Sequence, residues 1–378
     1  MSVVYVHVGL PKTGTTHVQD RLWLNRDLAA RHGDLLYPGN WMEDHFHAAT
    51  HLNPERYLDW ADPAHADAWP TMVAQMKTWP GKSLVSHELF ANAGPSHIQK
   101  LVADLDFADE VHVVLTVRDL ARQLPSVWQE NVKNQRPTSF ADFVSAVAAD
   151  TRDGAHAGDL AHEPFWEFQD YPAIVAKWSA VVPAERIHVV TVPEPGSATP
   201  GDGLWERFLG VLGVDPAVLT VPAVSANTSL SAAQAEFLRL LNLRIQPDDI
   251  EWQRYERIVK QQLVGEVLFS LREGKPLGLD AEQRAWAAEL SDGMVEAVVA
   301  GGYPVHGSLD DVRVAVGEVG DARVPSADET LDAALDALAC WIKAMPVPKE
   351  RMAARTRAAN LVRRARRRAV GMRGRLTS

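Results

Sequence analysis

The sequence predicts an α/β fold, a P-loop-like three-layer domain with a central parallel sheet and helical C-terminal additions. Three observations carry this. Short β-branched runs alternate with helical stretches through the first 200 residues, the signature of βαβ units. The first run, VVYVHV at 3–8, leads straight into a glycine loop and then a helix. After residue 224 the pattern turns mostly helical.

In chain order, residues 3–8 form the first expected strand, buried and ending at Gly9. Thr15 to about Ala30 is helical, with Val18 and Leu22 sharing a face with Arg26. Residues 40–80, rich in Trp, His and Pro, read as a loop-rich or short-helix insertion. KSLVS at 82–86 is the second strand and ends at His87-Glu88. VHVVLTV at 111–117 is the third and clearest, with Arg118 directly after it. RIHVVTV at 186–192 is the fourth. Helices are expected over Pro95–Leu105, Pro125–Asn134 and Tyr171–Val181, then over Ser231–Arg244, Asp248–Arg272 and Ala281–Ala300. Residues 301–349 are mixed, and Pro346-Val347-Pro348 breaks the chain before a tail. The domain is therefore drawn as 1–345 and the tail as 346–378.

Ligands of open parallel sheets bind beyond the carboxyl ends of the strands. That rule gathers the Gly9–Thr16 loop, the His87-Glu88 pair and Arg118 into one crevice. The loop GLPKTGTT has the layout of an anion site: free N–H groups at a helix N-terminus, hydroxyls from Thr15 and Thr16, and a charge at Lys12. It departs from the nucleotide-triphosphate pattern, in which a lysine follows the second glycine; here Thr15 holds that place. Metal-assisted triphosphate chemistry thereby loses its usual charge.

GLPKTGTT resembles the 5′-phosphosulfate loop of the sulfotransferases that use 3′-phosphoadenosine 5′-phosphosulfate (PAPS), whose fold is related to that of nucleotide kinases. That family also has a strand-end arginine followed about eight residues later by a serine. Arg118 and Ser126 in VRDLARQLPS match this spacing. Weaker likenesses are DYPAIVAKW with RIHVVTV, NTSLS at 227–231 and GGYPVHGSLDDV at 301–312, so the resemblance covers about residues 1–315. The chain has no RKGxxGDWK-type segment of the animal cytosolic enzymes. The resemblance implies PAPS as co-substrate, no required metal, and sulfuryl transfer to a hydroxyl or amine of a small-molecule, glycan or lipid-linked acceptor. It implies nucleotide contacts from Pro11, Lys12, Thr13, Gly14, Thr15, Thr16, Arg118, Ser126, Asn227 and Ser229. A small-molecule kinase and a non-catalytic nucleotide-binding protein are the alternatives.

Physically, Arg118 at a strand end offers a planar fork matched to phosphate oxygens. Pro125 suits a first helical turn, which would place Ser126 near a helix N-terminus. Lys12 is the candidate for the charge on the leaving oxygen. The base is Glu88 or His87; adjacent strand residues face opposite ways, so one of them points inward. The local SHEL is similar to the bacterial S-x-E-x-L form, which favours Glu88. His45 and His47 in HFH have no zinc-type ligand pattern around them and are assigned to the acceptor pocket or the surface. Trp41, Trp60, Trp69 and Trp79 are packing residues or an aromatic acceptor wall.

The chain has 378 residues and a net charge of −11. Residues 349–378 hold 11 Lys and Arg and one acid, so an acidic body of −21 carries a tail of +10. Such a tail suits an anionic membrane surface or an acidic partner, with nucleic acid disfavoured, or it docks loosely on the acidic body. No apolar run approaches the ~20 residues that span a bilayer. No signal-peptide layout opens the chain, and the lone Cys340 excludes an internal disulfide. These features point to a cytoplasmic protein, with contact at the inner membrane face through the tail.

Overall fold

Six strands, β1 (Val3–His7), β2 (Leu35–Leu36), β3 (Lys82–Ser86), β4 (Glu110–Val117), β5 (Ile187–Thr191) and β6 (Val305–His306), form an all-parallel sheet in the order β2-β3-β1-β4-β5-β6. This computed structural model describes every residue except 59, 151–163, 198, 200, 224–228, 272–273, 316–323 and 346–378. Helices described along the chain are α1 (Thr15–His32), α2 (Asp44–Leu52), α3 (Ala68–Thr78), α4 (Pro95–Asp104), α5 (Leu120–Lys133), α6 (Phe140–Ala149), α7 (Phe165–Gln169), α8 (Tyr171–Ser179), α9 (Leu204–Leu212), α10 (Ala232–Asn242), α11 (Trp252–Tyr255), α12 (Ala281–Gly301) and α13 (Ala327–Ala344). Among the described residues no helix is long and apolar enough to cross a membrane.

The α/β reading holds. A sheet covered on both faces needs apolar residues at successive positions. Val4 and Val6 pack on one side with Val113 and Leu115, beneath α4, α5, α8 and α12. Tyr5 packs on the other with Leu84, Val114 and Val190, beneath α1 and α9. The chain leaves β1 towards β3 on one side and returns to β4 on the other. The loop after β1 therefore sits at the switch point where parallel sheets take ligands.

Strands β2 and β6 escape the sequence reading because two residues carry no periodicity. Helix α1 buries Val18, Leu22, Asn25 and Ala29. Asn25, not Arg26, takes the inward place, because its amide exchanges hydrogen bonds with the Val221 backbone at 2.7 and 2.9 Å. Arg26 lies instead over the Trp23 ring, 3.9 Å from its centroid. Helix α5 begins at Leu120, five residues before Pro125. Asp119 caps it, its Oδ1 accepting from Arg122 N at 2.9 Å, so the proline falls inside the helix. The expected Asp248–Arg272 helix is instead α11 followed by a π-helix over Glu256–Val267. Its inward residues Tyr255, Val259, Leu263 and Val267 recur every fourth position.

Candidate functional site

The Gly9–Thr16 loop is stitched to β4 from its first residue. Val8 N donates to Val114 O at 3.0 Å, Leu10 N to Thr116 O at 3.0 Å, and Thr116 N to Gly9 O at 2.6 Å. Gly9 has φ 97°. A Cβ there would lie 3.0 Å from both Cα and Cβ of Glu88, so glycine is required by conformation and by space. Gly14 caps α1 in the left-handed region at φ 93°. A Cβ on it would stand 2.6 Å from Leu204 Cδ2. The loop thus rests directly on the start of α9 and on the end of β3.

Thr13 was expected to meet ligand, but its hydroxyl is turned inward. It donates to Leu10 O at 2.6 Å and lies 2.5 Å from Thr116 Oγ1. It fixes the loop and leaves only its backbone N–H for an anion. Pro11 contributes its carbonyl to the scaffold, accepting from Gln123 Nε2 at 2.6 Å and Gln169 Nε2 at 3.3 Å. Thr15 is buried and Thr16 exposed at the mouth of α1, where the first-turn N–H groups have no helical partners.

Lys12 adopts φ 67°, and its ammonium lies 2.8 Å from Glu130 Oε2 on α5. Glu130 also meets Lys133 at 2.6 Å and Lys260 at 3.9 Å. Burial alone would raise the Glu130 pKa; Lys12 and Lys133 outweigh it and bring it down to about 2. One carboxylate thus serves three ammonium groups, an excess of positive charge beside the loop.

Arg118 leaves the end of β4, neighbouring the end of β1. Asp119 is paired with Arg122, and Glu130 with lysines. Arg118 Nη2 donates to the Arg122 carbonyl, while its buried Nε has no partner among the described residues. Burial first, then the like charge of Arg122, pull its pKa down to about 10 against the opposing pull of Asp119, so it remains a cation at neutral pH. Among the described residues it forms no salt bridge. Arg122 is half-buried and donates to the carbonyls of Pro193 and Val192 at 2.9 and 3.0 Å, tying α5 to the end of β5.

Ser126 is not at a helix N-terminus, because α5 starts at Leu120. It lies on the helix face shared with Gln123 and Glu130. Both of those touch the loop, so this face looks towards it. Ser229 is exposed. Its neighbour Leu230 is clamped to α5 by Gln129, whose amide bonds both Leu230 backbone groups at 3.0 and 3.1 Å. Asn227 lies outside the described residues.

The end of β3 places His87 and Glu88 differently. His87 caps a 3₁₀ turn, its Nδ1 accepting from Leu89 N at 3.1 Å. Burial lowers its pKa, with Glu88 opposing. The neutral ring with an accepting Nδ1 carries its proton on Nε2, which leaves no ring nitrogen to take a proton from a substrate. Glu88 Oε2 accepts from Gln19 Nε2 at 3.3 Å. Burial pushes its pKa up, but His87, a backbone N–H, Gln19 and His7 outweigh it and the net shift is down. Glu88 is therefore ionised at neutral pH.

Beneath both sits a polar layer that the sequence did not mark as functional. His7 is fully buried, with Nδ1 2.7 Å from Ser86 Oγ and Nε2 3.5 Å from Thr116 Oγ1. Burial lowers its pKa to about 4, so it stays neutral. Gln19 joins this layer to Glu88 through Ser86 Oγ at 3.2 Å. A histidine inside an apolar strand was the one visible signal; Gln19, Gln123, Gln169 and Glu130 gave none.

The 40–80 region contributes an aromatic wall beside His87. The Phe46 ring lies 5.5 Å from His87 and 6.3 Å from Trp60, and Tyr57 stacks on Trp60 at 5.7 Å. The four tryptophans do not cluster. Trp69 is core, bonded to Asp104 at 2.8 Å, Trp79 is half-buried, and Trp41 stands exposed. His45 is buried against Tyr37 at 4.3 Å and accepts from Ser86 N, while His47 stacks on His65 at 3.9 Å. Among the described residues no three His, Cys, Asp or Glu are grouped to hold a metal ion. Comparison with protein-family models, with curated proteins and with solved structures finds no match.

Proposed function

We propose that the chain is a sulfotransferase that moves the sulfuryl group of PAPS to a hydroxyl or amine acceptor. The observation that carries the reading is Arg118, a largely buried cation whose Nε is unpartnered and which forms no salt bridge among the described residues, beside a glycine loop without a lysine after its second glycine. A built cationic fork next to a phosphate loop fits a nucleotide with phosphates at two separate positions. The loop N–H groups with Thr15 and Thr16 take the 5′-phosphate; Arg118 and Ser126 take the 3′-phosphate. The donor supplies an activated sulfur–oxygen bond to phosphate.

Glu88 accepts the proton of the attacking acceptor as its new oxygen–sulfur or nitrogen–sulfur bond forms. Lys12 leaves Glu130 and carries the charge left on the phosphate oxygen when the old sulfur–oxygen bond breaks. His7, Ser86 and Gln19 hold Glu88, and Phe46, Trp60 and Tyr57 wall the acceptor side. The location that accompanies this reading is the cytoplasm. A kinase on the same fold is the competing reading, and the displaced lysine disfavours it. Thermal shift separates them. Adenosine 3′,5′-bisphosphate raises Tm more than ADP with Mg²⁺ does; equal shifts, or none from the bisphosphate, overturn the assignment.

A further inference from the structure

The lysine of the loop is one of three. Lys12, Lys133 at the end of α5 and Lys260 on the π-helix converge on Glu130 at 2.8, 2.6 and 3.9 Å, and each lysine side chain is less than a third exposed. Among the described residues, every salt bridge these lysines make goes to that carboxylate. Three ammonium charges on one carboxylate leave a surplus of two. A cluster present only to hold α5 to its neighbours would be balanced, since largely buried charge is costly unless paired. The surplus is felt at Lys133, whose pKa is lowered by burial first and then by Lys12, against the pull of Glu130. Beside the cluster, Lys260 donates to Asn134 Oδ1 at 2.7 Å and lies 5.5 Å from the centre of the Trp252 ring. Trp252 stacks on buried Tyr255 and is itself 44% exposed, so an aromatic surface adjoins the surplus charge.

The sulfuryl-transfer reading, on which this inference rests, already places both phosphates of the donor, one on the loop and the other on Arg118 and Ser126. Ser126, Glu130 and Lys133 share one face of α5 at i, i+4 and i+7, which sets Lys133 ~10 Å further along the helix axis than Ser126. When Lys12 moves to the leaving oxygen, Glu130 keeps Lys133 and Lys260, with one positive charge over. These two lysines and Trp252 thus lie past the donor's phosphates on the α5 side of the loop. Phe46, Trp60 and Tyr57 stand on its β3 side, beside His87.

We propose that Lys133 and Lys260 set the specificity of the acceptor site, and that the acceptor carries an anionic group, a sulfate, phosphate or carboxylate, apart from the hydroxyl or amine it presents to Glu88. The two ammonium groups take that anion, and the exposed part of the Trp252 ring takes the apolar or ring surface next to it. No bond to the anionic group forms or breaks; it orients the acceptor for transfer. A neutral acceptor leaves the surplus charge unpaired and binds more weakly, so the site selects by charge.

The test is calorimetry on the full chain saturated with adenosine 3′,5′-bisphosphate, with phenyl phosphate as the anionic probe and phenol as its neutral counterpart. The bisphosphate fills the donor's phosphate sites, so the probes read the acceptor side. Phenyl phosphate binds roughly tenfold or more tightly than phenol. Lys260→Gln, which leaves the 2.6 Å Lys133–Glu130 pair in place, weakens phenyl phosphate by roughly tenfold. Lys260→Arg retains most of the binding, which separates loss of charge from misfolding. Lys133→Gln/Lys260→Gln removes the preference over phenol, and Trp252→Ala weakens both probes. Bisphosphate affinity stays at its wild-type value in all of these. Absent phenyl phosphate binding, equal affinities for the two probes, or wild-type phenyl phosphate affinity in the double variant overturns the proposal. So do matching losses of phenyl phosphate and bisphosphate affinity, which would assign the lysines to the donor. A wild-type chain that does not bind the bisphosphate at all overturns the sulfuryl-transfer reading itself, and this inference with it.

Discussion

The Lys12 ammonium lies 2.8 Å from Glu130 Oε2, joining the loop after β1 to the last turn of α5 across 118 residues of sequence. The same carboxylate holds Lys133, so it governs both the stability of the loop and the availability of its lysine.

Glu130→Gln separates these roles. The folded Glu130 pKa is about 2, below its ordinary 4.5, so its contribution to stability is full above pH 4.5 and is lost as pH falls towards 2. Chemical denaturation across pH shows the wild type more stable at pH 7, with the gap closing between pH 4.5 and about 2. Calorimetry with adenosine 3′,5′-bisphosphate shows tighter binding to the variant, because Lys12 is released. A gap independent of pH would refute the assignment of this shift to Glu130.

Arg118→Ala removes a charged fork worth about 1.5–3 kcal/mol in hydrogen bonding. Binding of adenosine 3′,5′-bisphosphate weakens by roughly 10- to 100-fold. ADP, which has no 3′-phosphate, is affected far less. Arg118→Lys keeps the charge without the fork and recovers only part of the affinity. Equal losses for the two nucleotides would place Arg118 away from the 3′-group.

Glu88→Gln keeps the shape and the Gln19 neighbour but cannot take a proton. Turnover falls by roughly 10²–10⁴-fold while bisphosphate affinity stays near wild type. His87→Asn preserves a side chain able to cap the 3₁₀ turn and retains most of the turnover. The reverse ranking in steady-state kinetics would make His87 the base.

Gly9→Ala forces a Cβ to within 3.0 Å of Glu88 in a backbone at φ 97°. The expected cost is about 1–3 kcal/mol of stability, read as a lower denaturation midpoint. Bisphosphate affinity and turnover fall together, because the loop and the base are displaced by the same clash. A variant with wild-type Tm and kinetics would show that the loop does not rest on Glu88.

Much of the fold was legible because its signals are local. Four β-branched runs mark the central strands, and two of them lead straight into polar or charged residues, His87-Glu88 and Arg118. Helix α5 was misplaced because Pro125 was read as a helix start, when the cap is the Asp119 carboxylate six residues earlier. Helix α13 was missed because its most apolar stripe faces away from the core it was expected to bury.

The sequence by itself determined the α/β class, the loop, the strand-end arginine and the two rivals at the end of β3, since each depends on neighbours along the chain. Only the tertiary structure decided which atoms are already taken. The Thr13 hydroxyl is spent on Leu10 and Thr116, the Asp119 carboxylate on Arg122, and the Nδ1 of His87 on Leu89. Of the remaining groups, Arg118 Nε has no hydrogen-bond partner among the described residues and the Glu88 carboxylate is held by Gln19. Hydrogen-bond capacity is finite, and its allocation is settled by groups that packing brings together from distant parts of the chain.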